Sequence, residues 1–342
     1  MTKHNLGAGP DRRTVLAAGL LAPLAAPAVV RAASPEFSLK FATGQAPTHP
    51  NNVRMREAID RIRDRTAGRI EIRLFPANQL GTETDVLSQL RVGGIELLLL
   101  SASILATLVP VAGIANTAYA FPEYDAVWKA MDGGLGRYTR AQIEKVGLLC
   151  PAKVWDNGFR QITASNRDIR EPRDLLGFKV RVPPAPMLTS FFATIGASPT
   201  PMNFAEVYAA LQTHVIDGQE NALSLIETTK LYEVQRFCSM TGHSWDGYWP
   251  LANRRAWGRL PDDLKTILVT EFDRSVLDQR ADLAERDRTL QSELTAKGMA
   301  FRDVDKAQFR AVLAKTSYYT DWKARYGTEA WSELEAVCGK LA

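Results

Sequence analysis

The chain has 342 residues, with 42 Lys plus Arg against 38 Asp plus Glu, 46% hydrophobic residues and 3 Cys. Such balance excludes a disordered chain, and so few cysteines exclude a disulfide-dense miniprotein. The length suggests about two domains, and the formal charge of +4 invites an acidic partner unless a removable segment carries it.

The chain opens with a polar stretch, Met1 to Asp11, followed by Arg12-Arg13. An apolar run from Val15 to Val30 follows, broken by Pro23 and Pro27 and uncharged until Arg31. Val30-Arg31-Ala32 then offers small or apolar residues for cleavage after Ala32, with cleavage after Ala28 the alternative. Residues 1–32 therefore read as an export signal of the twin-arginine type, and the expected location is the periplasm. The run is short for about 30 Å of hydrocarbon. Its removal takes Lys3, Arg12, Arg13 and Arg31 against the one acid Asp11, so the +4 falls to +1. No run of Lys and Arg interleaved with aromatics remains, so no nucleic acid is expected as a partner.

Phe37–Phe41 alternates as a strand, and Val53–Thr66 has helical spacing at Met55, Ile59 and Ile62. Arg69–Phe75 alternates again. Thr82–Val92 reads as a helix capped by Thr82, and Ile95–Ser101 as a buried strand. This succession predicts an α/β fold with a largely parallel sheet. Leu97–Phe121 is 25 residues without a charge. Pro110, Gly113, Asn116 and its hydroxyl residues favour a strand, a short helix and a loop over a membrane span.

A second set of elements begins near Gly147. Strands are expected at Val146–Cys150, Lys179–Val182 and Val215–Asp217, and helices at Pro186–Ile195 and Phe204–Thr213. One long helical pattern runs from Pro261 to Lys297, and at about 1.5 Å per residue it can cross two domains. Helices are also expected at Asp305–Lys315 and Trp322–Leu341. An oxidising compartment permits one disulfide among Cys150, Cys238 and Cys338, but buried unpaired thiols are the plainer reading. No spacing suggests a metal or a cofactor.

Catalytic patterns are poor. Gly242-His-Ser-Trp-Asp246 approaches a nucleophile elbow around Ser244, but Asp246 replaces the second Gly and no His follows. Gly133-Gly-Leu-Gly136 lacks the third Gly of a dinucleotide site and reads as a loop. Two arginines are better placed. Arg181 lies at the end of Lys179-Val-Arg-Val-Pro-Pro184, and Arg160 lies in Trp155-Asp-Asn-Gly-Phe-Arg160. A guanidinium matches a carboxylate as a planar fork, and ligands of open α/β sheets sit at the carboxyl ends of strands.

Several ordered motifs carry a resemblance. They are Gly177-Phe-Lys-Val-Arg-Val-Pro183, Gly196-Ala-Ser-Pro-Thr-Pro-Met202, Phe204-Ala-Glu-Val-Tyr208, Asp217-Gly-Gln-Glu-Asn221 and Asn157-Gly-Phe-Arg-Gln-Ile-Thr163. With Gln79-Leu-Gly81, Tyr232-Glu-Val-Gln235 and Thr241-Gly-His243, the chain resembles the DctP-like solute-binding proteins of TRAP (tripartite ATP-independent periplasmic) transporters.

The resemblance implies a two-lobed periplasmic binding protein fold with mixed sheets, hinge strands and a long helix spanning both lobes. The first lobe is expected at 33–157 plus about 247–286, the second at 158–246 plus about 287–342. It implies no catalysis. It also implies an organic acid as ligand, a C4-dicarboxylate or a sugar acid, and two partners, the small and large membrane subunits of a permease. Arg181 matches the arginine that salt-bridges the ligand carboxylate, and Arg160 a second arginine on the same carboxylate. Asn221 matches a hydrogen-bonding Asn, and Phe204 a pocket-lining ring. Asn157, His49 and Ser101 are further candidate ligand contacts. Trp245, like Tyr248, either stacks on the ligand or packs between lobes. Ala222 replaces the Pro that often follows the Asn. Pro184 and Ser101 depart from sialate binders and argue against sialate. The alternatives are an exported hydrolase using Ser244, or a periplasmic sensor of the same fold.

Overall fold

A computed structural model of the chain describes residues 1–4 and 34–341. The arginine pair, apolar run and cleavage point of the expected signal lie outside the described residues.

Ten strands form one sheet. In chain order they are β1 (Phe37–Thr43), β2 (Ile70–Phe75), β3 (Leu97–Ser101), β4 (Leu148–Leu149) and β5 (Trp155–Ala164). There follow β6 (Lys179–Val182), β7 (Ser198–Pro201), β8 (Gly218–Asn221), β9 (Phe237–Asn253) and β10 (Ala300–Asp303). The path runs β2-β1-β3-β9-β5-β8-β6-β7, and β4 and β10 also pair with β9. The strands β2, β1 and β3 are mutually parallel, as are β8, β6 and β7. The two groups meet at antiparallel pairings of β9 with β3 and β5, and of β5 with β8.

The 17-residue β9 belongs to both groups. Its end, Tyr248–Ala252, pairs with β3, and its beginning pairs with the second half of β5. Neither β9 nor β5 was among the expected strands, and burial explains why. Both are almost wholly buried on both faces, so neither alternates in polarity. Glycines and the register shifts at Asp156/Gly158 and Arg160/Ile162 weaken the local pattern further.

Most other expectations hold within a few residues. Thr82 caps the helix Glu83–Val92 in a capping box with Asp85, which satisfies two end groups reciprocally. The charge-free stretch becomes β3, a one-turn helix at Ala102–Leu105 and a 3-10 segment at Pro110–Asn116. No helix among the described residues is long and apolar enough to cross a membrane. The strand expected at 215–217 forms instead at Gly218–Asn221, because 215–217 turns to bury Ile216. Gly133 precedes a helix, Gly134–Lys145, instead of opening a loop. The helix expected over Trp322–Leu341 is two, Tyr318–Tyr326 and Thr328–Cys338, parted at Gly327.

The long helix Asp262–Ala296 serves two cores. Leu264, Leu268, Phe272 and Val276 pack with Phe41, Met55 and Trp155, whereas Leu290 and Leu294 pack with Val207, Leu211 and Ile226. Between them Gln279 accepts the Asp156 N–H at 3.0 Å and donates to Asp156 O at 2.9 Å and Asn51 Oδ1 at 2.8 Å. The helix Thr328–Cys338, expected in the second lobe, packs on Tyr124–Met131 and Gly134–Lys145. All three cysteines are unpaired. Burial pushes the thiols of Cys150 and Cys338 up to about 11.

Candidate functional site

Where β3, β5, β6, β8 and β9 converge lies a cavity of about 30 Å³. Its lining includes Ser101, Asn157, Arg160, Arg181, Phe204 and Asn221, so six of the eight candidate contacts come together. They come from stretches more than a hundred residues apart.

Arg181 leaves the carboxyl end of β6, which runs parallel to its neighbours β7 and β8. Pro183 and Pro184 end the strand because they offer no N–H to the ladder. The side chain is 1% exposed. Nε and Nη2 both donate to Met202 O, at 2.9 and 2.7 Å, and Cζ lies 5.6 Å from the Phe204 ring centroid. Among the described residues, Nη1 has no acceptor and no carboxylate ion-pairs with the guanidinium. Burial pushes its pKa down to about 10, and Arg160 adds to that against Glu220 and Glu83. The group therefore stays cationic at neutral pH. A buried charge without a partner costs several kcal/mol unless an opposite charge reaches it.

Arg160 is differently placed. Its Nε donates to Glu220 Oε2 at 2.5 Å, its Nη2 to Oε1 at 2.8 Å and to Glu220 O at 2.8 Å. Its Nη1 donates to Asp246 Oδ2 at 3.2 Å. Burial works against the charge, but Glu220 outweighs it and raises the pKa of Arg160. Glu220 is held low by Arg160 and His243 despite burial. Arg160, expected as a second fork for the ligand, stands at the cavity wall with its donors turned to Glu220 and Asp246. Its Nε and Nη2 hold Glu220, and its Nη1 reaches Asp246.

Asp246 ties the walls together. Its carboxylate accepts from Ser101 Oγ at 2.6 Å, Asn157 Nδ2 at 3.1 Å, Asn116 Nδ2 at 3.1 Å and the Gly247 N–H at 3.0 Å, besides Arg160. These donors stand on β3, on β5, on β9 itself and in the 3-10 segment. Asn157 Oδ1 is buried without a partner. Asn221 Nδ2 donates to Gln219 Oε1 at 2.7 Å.

Glu83, at the first position of its helix, also lines the cavity. Its Oε2 is buried without a hydrogen-bond partner. Burial pushes its carboxyl up to about 7, with Asp246 adding to this and Arg181 opposing it. Gly44 makes the room, because a Cβ there would lie 2.8 Å from Glu83 Oε1. Glu83 and Asp246 carried no sequence signal of their own. Glu220 stood inside Asp217-Gly-Gln-Glu-Asn221, where only Asn221 was singled out.

Two candidates lie elsewhere. His49 is buried as the N-cap of the helix Pro50–Arg65, where Nδ1 accepts the Asn51 N–H at 3.2 Å. Trp245 packs edge-on against Trp128 and Phe121, with ring centroids at 5.6 and 6.2 Å, and donates its indole N–H to Asp156 Oδ1 at 2.9 Å. It does not line the cavity. Tyr248, by contrast, lines the cavity. Ser244 Oγ donates to the backbone carbonyls of Asn116 and Trp245, at 3.1 and 3.3 Å. The neighbouring His243 is engaged by Thr241 and Glu220, so no base faces that hydroxyl. No cluster of metal-ligating side chains occurs among the described residues.

Two strand groups sharing β5 and β9, with a buried cation at their junction, define a solute-binding protein of the two-lobed α/β class. Residues 41–321 match the family model of the bacterial extracellular solute-binding proteins, family 7, the DctP family, and the chain belongs to that family. It is 30% identical over 277 residues to the 2,3-diketo-L-gulonate-binding periplasmic protein YiaO of Escherichia coli, covering 81% of this chain and 84% of that one. It is 32% identical to an uncharacterized protein, y4mM, of Sinorhizobium fredii, of which it spans 56%. A TRAP periplasmic solute-binding protein from Polaromonas bound to D-erythronate superposes with a TM-score of 0.84 at 28% identity, covering 89% of this chain and all of that one. One from Sulfurospirillum deleyianum with bound succinate gives 0.84 at 25% identity, over 89% and 99%.

Proposed function

We propose that the chain is an exported binding protein. It captures an organic acid and passes it, unchanged, to the small and large membrane subunits of a TRAP transporter. The observation that carries this reading is the Arg181 guanidinium, buried at a cavity wall with no carboxylate of its own. A ligand carboxylate on Nη1 supplies the missing charge through a short charge-assisted hydrogen bond.

The remaining lining narrows the ligand. Glu83 and Asp246 put carboxyl groups where the ligand's other end must lie, and a second ligand carboxylate there meets like charge. Hydroxyl groups suit that wall better, because they can donate to Glu83 Oε2 and Asn157 Oδ1, both without a partner. The preferred ligand is therefore a hydroxylated monocarboxylic acid. The 2,3-diketo-L-gulonate and D-erythronate of the two relatives are acids of this kind.

The cavity of about 30 Å³ holds only one or two waters. An acid of four or more carbons enters only when the walls part. The strands shared by both groups, β5 and β9, are the natural hinge. The moving bodies are the strand groups β2-β1-β3 and β8-β6-β7 with the helices packed on each, and the helix Thr328–Cys338 moves with Tyr124–Met131 and Gly134–Lys145, on which it packs. The ligand favours the closed form by touching both walls at once.

A thermal-shift and calorimetry panel of erythronate, aldonates, keto sugar acids, malate and succinate tests this. We expect a hydroxylated monocarboxylate to stabilise most, to bind about tenfold or more tightly than succinate, and to be recovered intact. Tighter succinate binding would restore the dicarboxylate reading. Chemical turnover, or no stabilisation by any acid, would sink the proposal.

A further inference from the structure

Behind the strand that carries Arg160 lies a second cavity, of about 450 Å³. Phe159 and Gln161, the neighbours of Arg160 on β5, line it from the opposite face of the strand. Phe121, Leu223 and Met240 supply further apolar wall.

Its polar groups are unusual. The Tyr119 hydroxyl is buried and has no hydrogen-bond partner, and burial raises its pKa well above the usual phenol range. Tyr119 also holds a left-handed backbone at φ 55°, and its N–H donates to His243 O at 2.9 Å. A non-glycine residue in that region is strained and persists only where its surroundings impose it. Lys306 and Arg310 stand one turn apart on the helix Lys306–Ala314. Both are exposed, and neither forms an ion pair among the described residues. Lys306 Nζ hangs over Gly242, where a Cβ would come within 2.8 Å of it. One acid shares the cavity, the half-buried Asp287, whose Oδ2 accepts from Tyr124 OH at 3.1 Å.

We propose that this cavity is a second small-molecule site, for an organic anion with a flat aromatic body. The anionic group lies between Lys306 and Arg310, where two unpaired cations meet a concave wall. The ring lies on Phe121, Phe159 and Met240, which offer aromatic and thioether faces. An anion without a ring leaves the apolar wall wet, and a ring without an anion leaves the cations unpaired.

The probes are benzoate, 4-hydroxybenzoate and phenylacetate, with phenol and inorganic phosphate as the ring-only and anion-only controls. Binding is followed by ligand-observed NMR and calorimetry on the mature protein and on Arg181→Ala, which disables the first site. We expect an aromatic carboxylate to bind Arg181→Ala as well as the unaltered protein. Lys306→Gln with Arg310→Gln should weaken it about tenfold or more, with unchanged melting temperature and unchanged affinity for the first site's acid. The site is refuted if no aromatic carboxylate binds at millimolar concentration, or if Arg181→Ala abolishes its binding. It is equally refuted if the double variant binds normally, or if phosphate or phenol binds as well as the aromatic carboxylates.

Discussion

Glu220 grips Arg160 with both carboxylate oxygens, at 2.5 and 2.8 Å, and Arg160 answers with three of its N–H groups when the Glu220 carbonyl is included. The pair is buried, its side chains 3% and 0% exposed. Its effect is selective. One of the cavity's two arginines is neutralised from within, and the other, Arg181, is left for what comes from outside.

Arg181→Ala should therefore abolish acid binding, with a loss of about 100-fold or more, since a hydrogen bond to a charged group is worth about 1.5–3 kcal/mol and the ion pair adds to it. Arg181→Lys should be nearly as poor, because a point charge cannot both hold Met202 O and present a second edge. Calorimetry with the cognate acid decides. Normal binding by either variant would move the carboxylate elsewhere.

Breaking the Arg160–Glu220 pair should act on the fold before it acts on affinity. Arg160→Ala leaves Glu220 as an unpaired buried charge, and destabilisation by about 3–5 kcal/mol is expected. Replacing both together, Arg160→Met with Glu220→Leu, should cost much less. Chemical denaturation of Arg160→Met, Glu220→Leu and the double variant measures the difference. A double variant destabilised by the sum of the two single changes would show that the pair is not coupled.

Glu83 makes a pH-dependent prediction. Its folded pKa, about 7, lies above that of an unfolded glutamate, about 4.3. The stability it confers is full below the unfolded value and is lost as pH rises through the folded one. Glu83→Gln should remove that decline between about pH 4.5 and 7, a difference of up to about 3 kcal/mol, read as stability against pH. A parallel pair of curves would mean that Glu83 does not titrate there.

His49 has the opposite sign. Burial first, then Arg286, pushes its pKa down to about 3, so it is neutral when folded. Its contribution is present above the unfolded value near 6.5 and is lost as pH falls toward 3. His49→Asn keeps an N-cap acceptor and should blunt acid unfolding while leaving acid binding at neutral pH unchanged. A large loss of affinity in that variant would return His49 to the ligand site.

Gly44→Ala tests the room around Glu83. The new Cβ displaces a flexible carboxylate tip instead of backbone, so a small change in melting temperature with a clear loss of affinity for hydroxylated acids is expected. Unchanged affinity would show that the position of Glu83 is immaterial to the ligand.

Much of this was legible in the sequence. Lys179–Val182 alternates and is closed by prolines, so both the strand and the place of Arg181 at its end could be read locally. The long helix could be read because its apolar residues recur over many turns. The rest depends on distant pairings. Arg160 resembles a ligand fork until Glu220, sixty residues later, arrives on the neighbouring strand. Asp246 gathers donors from three separate elements, which no window of sequence contains. Trp245 resembled a stacking residue, but irregular β5–β9 pairing settles which face it takes, and that is invisible locally. His49 and Glu83 are both helix-start residues, yet one turns into the core and the other toward the cavity.

The three unpaired thiols bear on the exported location proposed above. With Cys150 and Cys338 at about 11, only about one sulfur in ten thousand is a thiolate at pH 7, and Cys238 is buried. Oxidants attack the thiolate. Cross-linking between molecules and oxidation to sulfenic acid should therefore be slow even where no reductase guards the thiols.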